Sequence, residues 1–72
     1  MPEYVFVSYP RVRDVFIDGR RSGMTNELLT VAEGEQEFTL GEPVDYKPRR
    51  RVVVVTGTTE NAPERIAFEP KS

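Results

Sequence analysis

The chain has 72 residues, a formal net charge of -2, and neither cysteine nor histidine. A chain of this length is predicted to form one domain over residues 1–72, near the lower size limit for a fold without disulfides or metal. Because it lacks the thiolate nucleophile, the commonest metal ligand and the commonest general base, most enzyme mechanisms are excluded. The net negative charge disfavours nucleic-acid binding, and no apolar run is long enough to insert into a membrane.

The N-terminal part of the chain is predicted to hold two strands and a tight hairpin. β-Branched and aromatic residues occupy nearly every position of residues 4–9, before Pro10, which favours a strand there. A second strand over residues 12–17 leads into Asp18 and Gly19, a dipeptide typical of the two positive-φ positions of a type I′ turn. The chain is therefore expected to turn back directly after the second strand.

The middle of the chain is predicted to hold two further strands. Residues 27–32 fit either a strand or one turn of helix, and their shortness and the flanking glycines favour the strand. Residues 35–40 alternate more clearly, because Gln36, Phe38 and Leu40 share one side and polar residues share the other. The latter strand is therefore expected to have one buried face and one wet face.

The C-terminal part is predicted to contain a loop, a central strand, a turn and a last strand. Residues 41–48 include a glycine and two prolines, so they predict a loop, with Tyr46 at or near an exposed position. Residues 49–56 run through four consecutive valines, which is typical of a central strand buried on both faces at its end. A turn over residues 57–63 precedes a last strand over residues 65–68. Together these segments make about six or seven short strands and predict an all-β fold, a small antiparallel β-sandwich.

The carboxylates offer no catalytic pair. Asp14 and Asp18 lie on one side of the second predicted strand, but four residues of extended chain separate their backbones by roughly 13 Å, beyond the spacing used in glycoside hydrolysis. Asp18 is better explained by the turn. The other acidic residues are scattered and do not form a loop of spaced oxygen ligands for calcium. We therefore predict no catalytic residue, no metal site, no cofactor and no enzymatic activity.

A run of cations follows a tyrosine in the predicted loop: Tyr46, then Lys47, Arg49, Arg50 and Arg51. Such a basic patch next to an aromatic ring could bind phosphate, polysaccharide or single-stranded nucleic acid. Because side chains alternate along a strand, Arg50 is expected to point away from Arg49 and Arg51. Glutamates of residues 33–37 could also neutralise the run across neighbouring strands. The simpler interpretation is therefore that these cations are solvent-exposed residues at the start of the valine strand.

The first two predicted strands are apolar on both faces. Tyr4 and Phe6 share the side of the first strand opposite to its valines, and Phe16 of the second strand could join them. If these three rings lie together on the outer face of a sheet, they form a candidate partner-binding surface. The alternative is that all three are needed for burial, as in many small domains.

The order of turns and strands resembles that of PEGA domains, small β-sandwich modules of envelope-associated and multidomain prokaryotic proteins. The resemblance covers nearly the whole chain and rests on these segments: Val7-Ser8-Tyr9-Pro10, Val15-Phe16-Ile17-Asp18-Gly19, Gly23-Met24-Thr25, Glu33-Gly34-Glu35, Phe38-Thr39-Leu40, and Tyr46 before the valine run. It implies a noncatalytic interaction or wall-associated module, and it transfers no catalytic residue.

The expected function is therefore a noncatalytic interaction or adhesion module that binds a protein partner or a cell-envelope component, with a homodimer as one form of partner. The alternative is a small protein that binds a polysaccharide or phosphate ligand through the basic patch. The first residues do not resemble a signal peptide. The compartment stays open: extracytoplasmic if these residues are part of a longer protein, cytoplasmic if they are the whole of one.

Overall fold

The computed structural model describes residues 2–71 and confirms the predicted all-β fold. Seven strands of four or more residues lie within this range, together with two strands of two residues each, β6 and β9. The strands are β1 (Pro2–Ser8), β2 (Asp14–Ile17), β3 (Arg20–Met24), β4 (Leu28–Ala32), β5 (Gly34–Thr39), β6 (Tyr46–Lys47), β7 (Arg51–Val55), β8 (Glu64–Ala67) and β9 (Glu69–Pro70).

One layer of the fold is a three-stranded sheet in the order β4-β1-β8. The central strand β1 pairs antiparallel with β4 and parallel with β8. Its Val5 and Val7 are fully buried, whereas Tyr4 and Phe6, on the other face, are half-buried. The alternation expected from the first strand therefore puts its valines against the second layer.

The second layer is a four-stranded antiparallel sheet in the order β3-β2-β5-β7. The predicted Asp-Gly hairpin joins β2 to β3, with φ of 52° at Asp18 and 84° at Gly19. The Asp18 carboxylate also accepts a 3.0 Å hydrogen bond from the Glu37 amide, which ties the turn to β5. Asp18 therefore has a structural role in the turn, as its dipeptide predicts.

The inward faces of the two sheets meet in one core, and Phe38 and Leu40 of the predicted alternating strand are buried in it. The core is composed of Val5, Val7, Tyr9, Val15, Ile17, Leu29, Val31, Phe38, Leu40, Tyr46, Val55, Ile66 and Phe68. Gln36 of β5 is buried as well, as the alternation predicted. The architecture is a small β-sandwich with outer faces on both sides.

Two predicted boundaries were wrong, each for a different reason. The second strand begins at Asp14: the Arg13 amide donates to the Thr25 hydroxyl, the Arg13 carbonyl accepts from the Thr25 amide just after β3, and Val12 is 63% exposed. The predicted loop before the valines contains β6, which pairs with β9, a two-residue strand that follows the last predicted strand. The short β6-β9 pair therefore joins this loop to the C-terminal part of the chain.

The valine strand is not central, and this prediction was wrong. β7 is the outermost strand of the four-stranded sheet, and among residues 2–71 it pairs with β5 alone. Val55 is fully buried, but Val52 and Val54 are 57% and 60% exposed. A run of valines predicts high strand propensity but does not determine on which sides neighbours lie.

Candidate functional site

The aromatic residues of the first two strands do not form one surface. Tyr4 and Phe6 lie on the outer face of the three-stranded sheet, whereas Phe16 lies on the outer face of the four-stranded sheet, on the other side of the core. All three are half-buried. The hypothesis of a single patch that contains these three rings is therefore wrong.

On each outer face, a neighbouring residue lies against one of the aromatic rings. The Arg65 guanidinium lies 5.3 Å from the centre of the Phe6 ring, and Leu28, paired opposite Phe6, is 44% exposed. The Phe16 ring lies against Gly41, where a β-carbon would come within 2.5 Å of the ring. These contacts give both rings a packing role and reduce the area that they offer to a partner.

Tyr46 is buried, which corrects the prediction of an exposed position. Its side chain is 2% exposed, and its hydroxyl donates to the Gly41 carbonyl over 2.9 Å and accepts from the Leu40 amide over 3.2 Å. Its ring makes edge-to-face contacts with Phe68 at 5.6 Å and Tyr9 at 6.5 Å between centroids. Tyr46 therefore anchors the loop to the core and is not an aromatic cap for a ligand.

Arg13 holds the same loop from outside and was missed by the sequence analysis. Its guanidinium lies 5.4 Å from the centre of the Tyr46 ring and donates to the Asp45 carboxylate over 2.6 Å and to the Pro43 carbonyl over 2.9 Å. The hydrogen bond from Arg13 lowers the pKa of Asp45 below its ordinary value. A polar residue just before a strand gives no sequence signal for such a long-range contact.

The cations of the basic run have different surroundings. Lys47, Arg49 and Arg50 are exposed, whereas Arg51 is half-buried and donates to the Ala67 carbonyl of β8 over 3.1 Å. Arg50 lies 3.7 Å from the Glu37 carboxylate, so one of the three glutamates expected to neutralise the run does so. The run is therefore only partly available to a ligand.

Arg49 and Arg50 line the same cleft, whereas alternation predicted that they would point apart. Both residues precede β7, and the chain bends at Arg49, so strand alternation does not separate their side chains. The cleft has a volume of about 230 Å³ and is also lined by Glu37 and Glu42. Two cations and two carboxylates make this a cleft of mixed charge, less suited to a purely anionic ligand than a basic patch would be.

The most exposed apolar side chains of the sheets lie on β7. Val52 and Val54 share the outer face of β7, and their cross-strand neighbours on β5 are Glu37 and Glu35. Within residues 2–71, the backbone of β7 forms its strand pairing on one side, with β5, and the other side has no strand partner. β7 is therefore an edge strand with a free side and an apolar outer face. The name "β7 edge" is used below for residues 51–55 and this free side.

The acidic residues considered as a catalytic pair are engaged in structure. Asp14 forms an ion pair with Arg21 at 3.1 Å, and Asp18 is bonded to β5. Within residues 2–71, no group of three or more potential ligands is arranged to hold a metal ion. In the same range, no helix is long and apolar enough to span a membrane.

Comparison of the chain with protein-family models, with curated proteins and with solved structures found no match.

Proposed function

We propose that the chain is a noncatalytic interaction module that binds an extended segment of a protein partner along the β7 edge. The observation that carries this proposal is the free side of β7 next to two outward valines, each more than half exposed. An extended segment can add to such an edge through main-chain hydrogen bonds, and its alternate side chains can then pack on the valines.

The other edges of the two sheets are better protected against strand addition. β3 exposes Arg20 and Arg21 and has a register shift in its pairing with β2. β8 includes Glu64 and Arg65, and the Arg51 side chain already occupies the Ala67 carbonyl. Charges and irregular pairing are the usual means by which edges avoid association.

β4 differs from β7 in the composition of its outer face. Its outward Leu28 is less exposed than either valine of β7, and the next outward position is the polar Thr30. Within residues 2–71, the β7 edge is therefore the most apolar of the four edges of the three-stranded and four-stranded sheets.

The PEGA resemblance supports the same class of function, because it implies a small β-sandwich that binds and does not catalyse. On this basis we propose that the extended segment belongs to a protein: a protein of the cell envelope, another domain of a multidomain protein, or a second copy of this chain. The all-β fold agrees with that proposal, and the pattern of turn residues supports it.

A second candidate function is the binding of a small polysaccharide or phosphate ligand in the cleft beside Arg49 and Arg50. The observation in its favour is that both guanidinium-bearing residues line one cleft. Glu37 and Glu42 in the same cleft weaken the attraction of an anion, and Tyr46 offers little exposed ring to a sugar. This candidate therefore ranks below strand addition.

Peptide titration followed by amide chemical shifts tests the proposed function. The probe is a short synthetic peptide in which valine and threonine alternate between terminal glutamates, and the control is the same peptide with prolines in place of two valines. We expect the first peptide to shift the amides of Val52 and Val54 and the control to leave them unchanged.

Changes of ionic strength and two substitutions complete this experiment. Binding at the β7 edge should change little between low and moderate salt, whereas an oligosaccharide phosphate bound at Arg49 and Arg50 should be released by salt. Val52→Lys should abolish the peptide shifts, and Leu28→Lys, on the other sheet, should not. Shifts confined to the cleft, or no shift with either peptide at a dilution at which the chain sediments as a monomer, would contradict strand addition.

A further inference from the structure

We infer that the segment bound at the β7 edge is β7 of a second copy of this chain, so that two four-stranded sheets join into one. This inference rests on the proposed function, because it identifies the partner of the same edge. The chemistry that the edge requires is an extended segment with apolar residues at alternate outward positions and an acidic group opposite the arginines. The chain itself contains a segment that meets both requirements.

The direction of pairing follows from the charge distribution along β7. Arg49, Arg50 and Arg51 lie together at its start, and Glu33 lies at its end, where it accepts a 2.7 Å hydrogen bond from the Thr56 hydroxyl. Parallel pairing would bring the two arginine clusters together, and like charges opposite each other are destabilising. Antiparallel pairing brings the basic start of one copy to the acidic end of the other.

The register follows from the positions of the two exposed valines. Antiparallel pairing centred on Val53 puts Val52 of each copy opposite Val54 of the other, so four valines meet on the outer face. The same register puts Arg50 opposite Thr56 and its bound Glu33. Centring on Val52 would put Arg50 opposite Val54, and centring on Val54 would put Val52 opposite Thr56. Only the Val53 register matches apolar with apolar and positive with negative.

The pairing is symmetric, so each favourable contact occurs twice. A two-fold axis through the Val53 pair makes the interface isologous, the commonest arrangement in homodimers. The cross-strand packing of the valines and the two Arg50–Glu33 contacts then act together, while the backbone groups of the free side gain hydrogen-bond partners. The second copy therefore pairs with the side of β7 that is unpaired in a single chain.

Cysteine cross-linking tests the register directly, because the chain contains no cysteine. Residues directly opposite in an antiparallel pair have Cα atoms about 4.5–5.5 Å apart, within the range that a disulfide bridges. In the Val53 register, two copies of the same position are staggered by two residues and lie roughly 8 Å apart, beyond that range. Mild oxidation of Val52→Cys mixed with Val54→Cys should therefore give the mixed dimer.

The controls of this experiment are the single variants. Val52→Cys alone and Val54→Cys alone should cross-link several-fold more slowly than the mixture, and Leu28→Cys, exposed on the other sheet, should cross-link no faster than free collision allows. Both valines are more than half exposed, so the variants are expected to fold. Equal cross-linking in the mixture and in the single variants would overturn the Val53 register.

Charge reversal, read by sedimentation over a concentration series, tests the polar contact. Arg50→Glu and Glu33→Arg should each weaken self-association by roughly tenfold, since each removes two symmetry-related ion pairs and adds repulsion. The double variant restores opposite charges and should recover the association. Failure of the double variant to recover it would contradict the Arg50–Glu33 contact.

The two proposals fail in different ways. If the chain sediments as a monomer at high concentration and the valine–threonine peptide still shifts the β7 amides, the second copy is wrong and strand addition stands. If there is neither self-association nor a peptide shift, the β7 edge is not a docking strand and both proposals are wrong.

Discussion

Two buried tyrosines lie side by side in the core, and their hydroxyl groups have different surroundings. The Tyr46 hydroxyl donates to the Gly41 carbonyl and accepts from the Leu40 amide. The Tyr9 hydroxyl is buried and has no hydrogen-bond partner among residues 2–71. A buried polar group without a partner costs stability, whereas a bonded one contributes to it. The same chemical change at the two positions should therefore have different consequences.

Removal of each hydroxyl gives the first prediction. Tyr46→Phe should lower the free energy of unfolding by about 1–2 kcal/mol, because two loop groups lose their partner. Tyr9→Phe should leave stability unchanged or raise it by up to about 1 kcal/mol. Urea unfolding of the two variants and the parent measures both effects. An equal loss in both variants would show that the Tyr9 hydroxyl is bonded in the folded protein.

At the scale of elements, the loop of residues 41–45 is held by contacts with β2 and with the residue just before it. Arg13, just before β2, binds Asp45 and the Pro43 carbonyl, and the Phe16 ring of β2 covers Gly41. Gly41 has φ of 73°, in the left-handed region that favours glycine. The ring and the backbone conformation thus both restrict the residue at this position.

The second prediction compares alanine substitutions of two glycines, which distinguish the effect of the Phe16 ring from that of the backbone conformation. Gly57 has φ of 70°, close to that of Gly41, but no atom within 4 Å of an added β-carbon. Gly57→Ala should cost about 1 kcal/mol from backbone strain. Gly41→Ala should cost about 1–3 kcal/mol more, because the Phe16 ring must move. Thermal unfolding measures the difference.

A double variant identifies the source of that difference. Adding Phe16→Ala to Gly41→Ala should remove most of the extra cost, relative to Phe16→Ala alone, since the two residues are in contact. If the two losses simply add, the ring is not what restricts Gly41. In that case the Phe16 ring is free to serve as part of a surface on this sheet.

The elements that the sequence predicts best are those with local causes. The Asp18-Gly19 turn and the buried Gln36, Phe38 and Leu40 follow from dihedral preferences and from alternation within a few residues. The position of β7 at the edge could not be predicted in this way. β5 pairs with one side of β7, and no strand among residues 2–71 pairs with the other; such pairing involves residues distant in sequence.

The candidate site shows the same limit on prediction from local sequence. Tyr46 was expected to be exposed because glycine and prolines surround it, yet β6 pairs with β9 and turns the ring into the core. Val52 and Val54 were expected to be buried because they are hydrophobic, but they lie on the outer face of the sheet, and side chains there are buried only where another layer covers that face. The composition of the basic run was predictable, but the sharing of one cleft by Arg49 and Arg50 was not.

At the scale of the whole molecule, one buried carboxylate connects the two sheets. Glu3 lies on β1 of the three-stranded sheet, and Thr58 follows β7 of the four-stranded sheet. The Glu3 carboxylate accepts 2.6 Å and 2.8 Å hydrogen bonds from the Thr58 hydroxyl and amide, and the Thr58 hydroxyl accepts a 2.7 Å bond from the Tyr4 amide. The hydroxyl hydrogen bond, followed by the amide hydrogen bond, lowers the pKa of Glu3 below its ordinary value.

This connection predicts that the fold loses stability in acid. Because the folded protein has the lower Glu3 pKa, ionised Glu3 favours folding above the ordinary glutamate pKa of about 4.3. That contribution is lost as the pH falls through the folded pKa, which lies below this value. Glu3→Gln should therefore be less stable than the parent at neutral pH, and the two unfolding free energies should converge in acid.

Urea unfolding of both proteins across the acid range measures this convergence. Asp45, whose pKa is also lowered, keeps its contact with Arg13 in the variant, so Glu3→Gln retains part of the acid sensitivity. Glu60→Gln, at an exposed position, removes the same charge without removing the contact with Thr58 and is the matched control. A constant stability difference between Glu3→Gln and the parent at every pH would mean that Glu3 contributes through its shape and not its charge. The connection between the two sheets would then depend on the Thr58 hydroxyl and the Tyr4 amide.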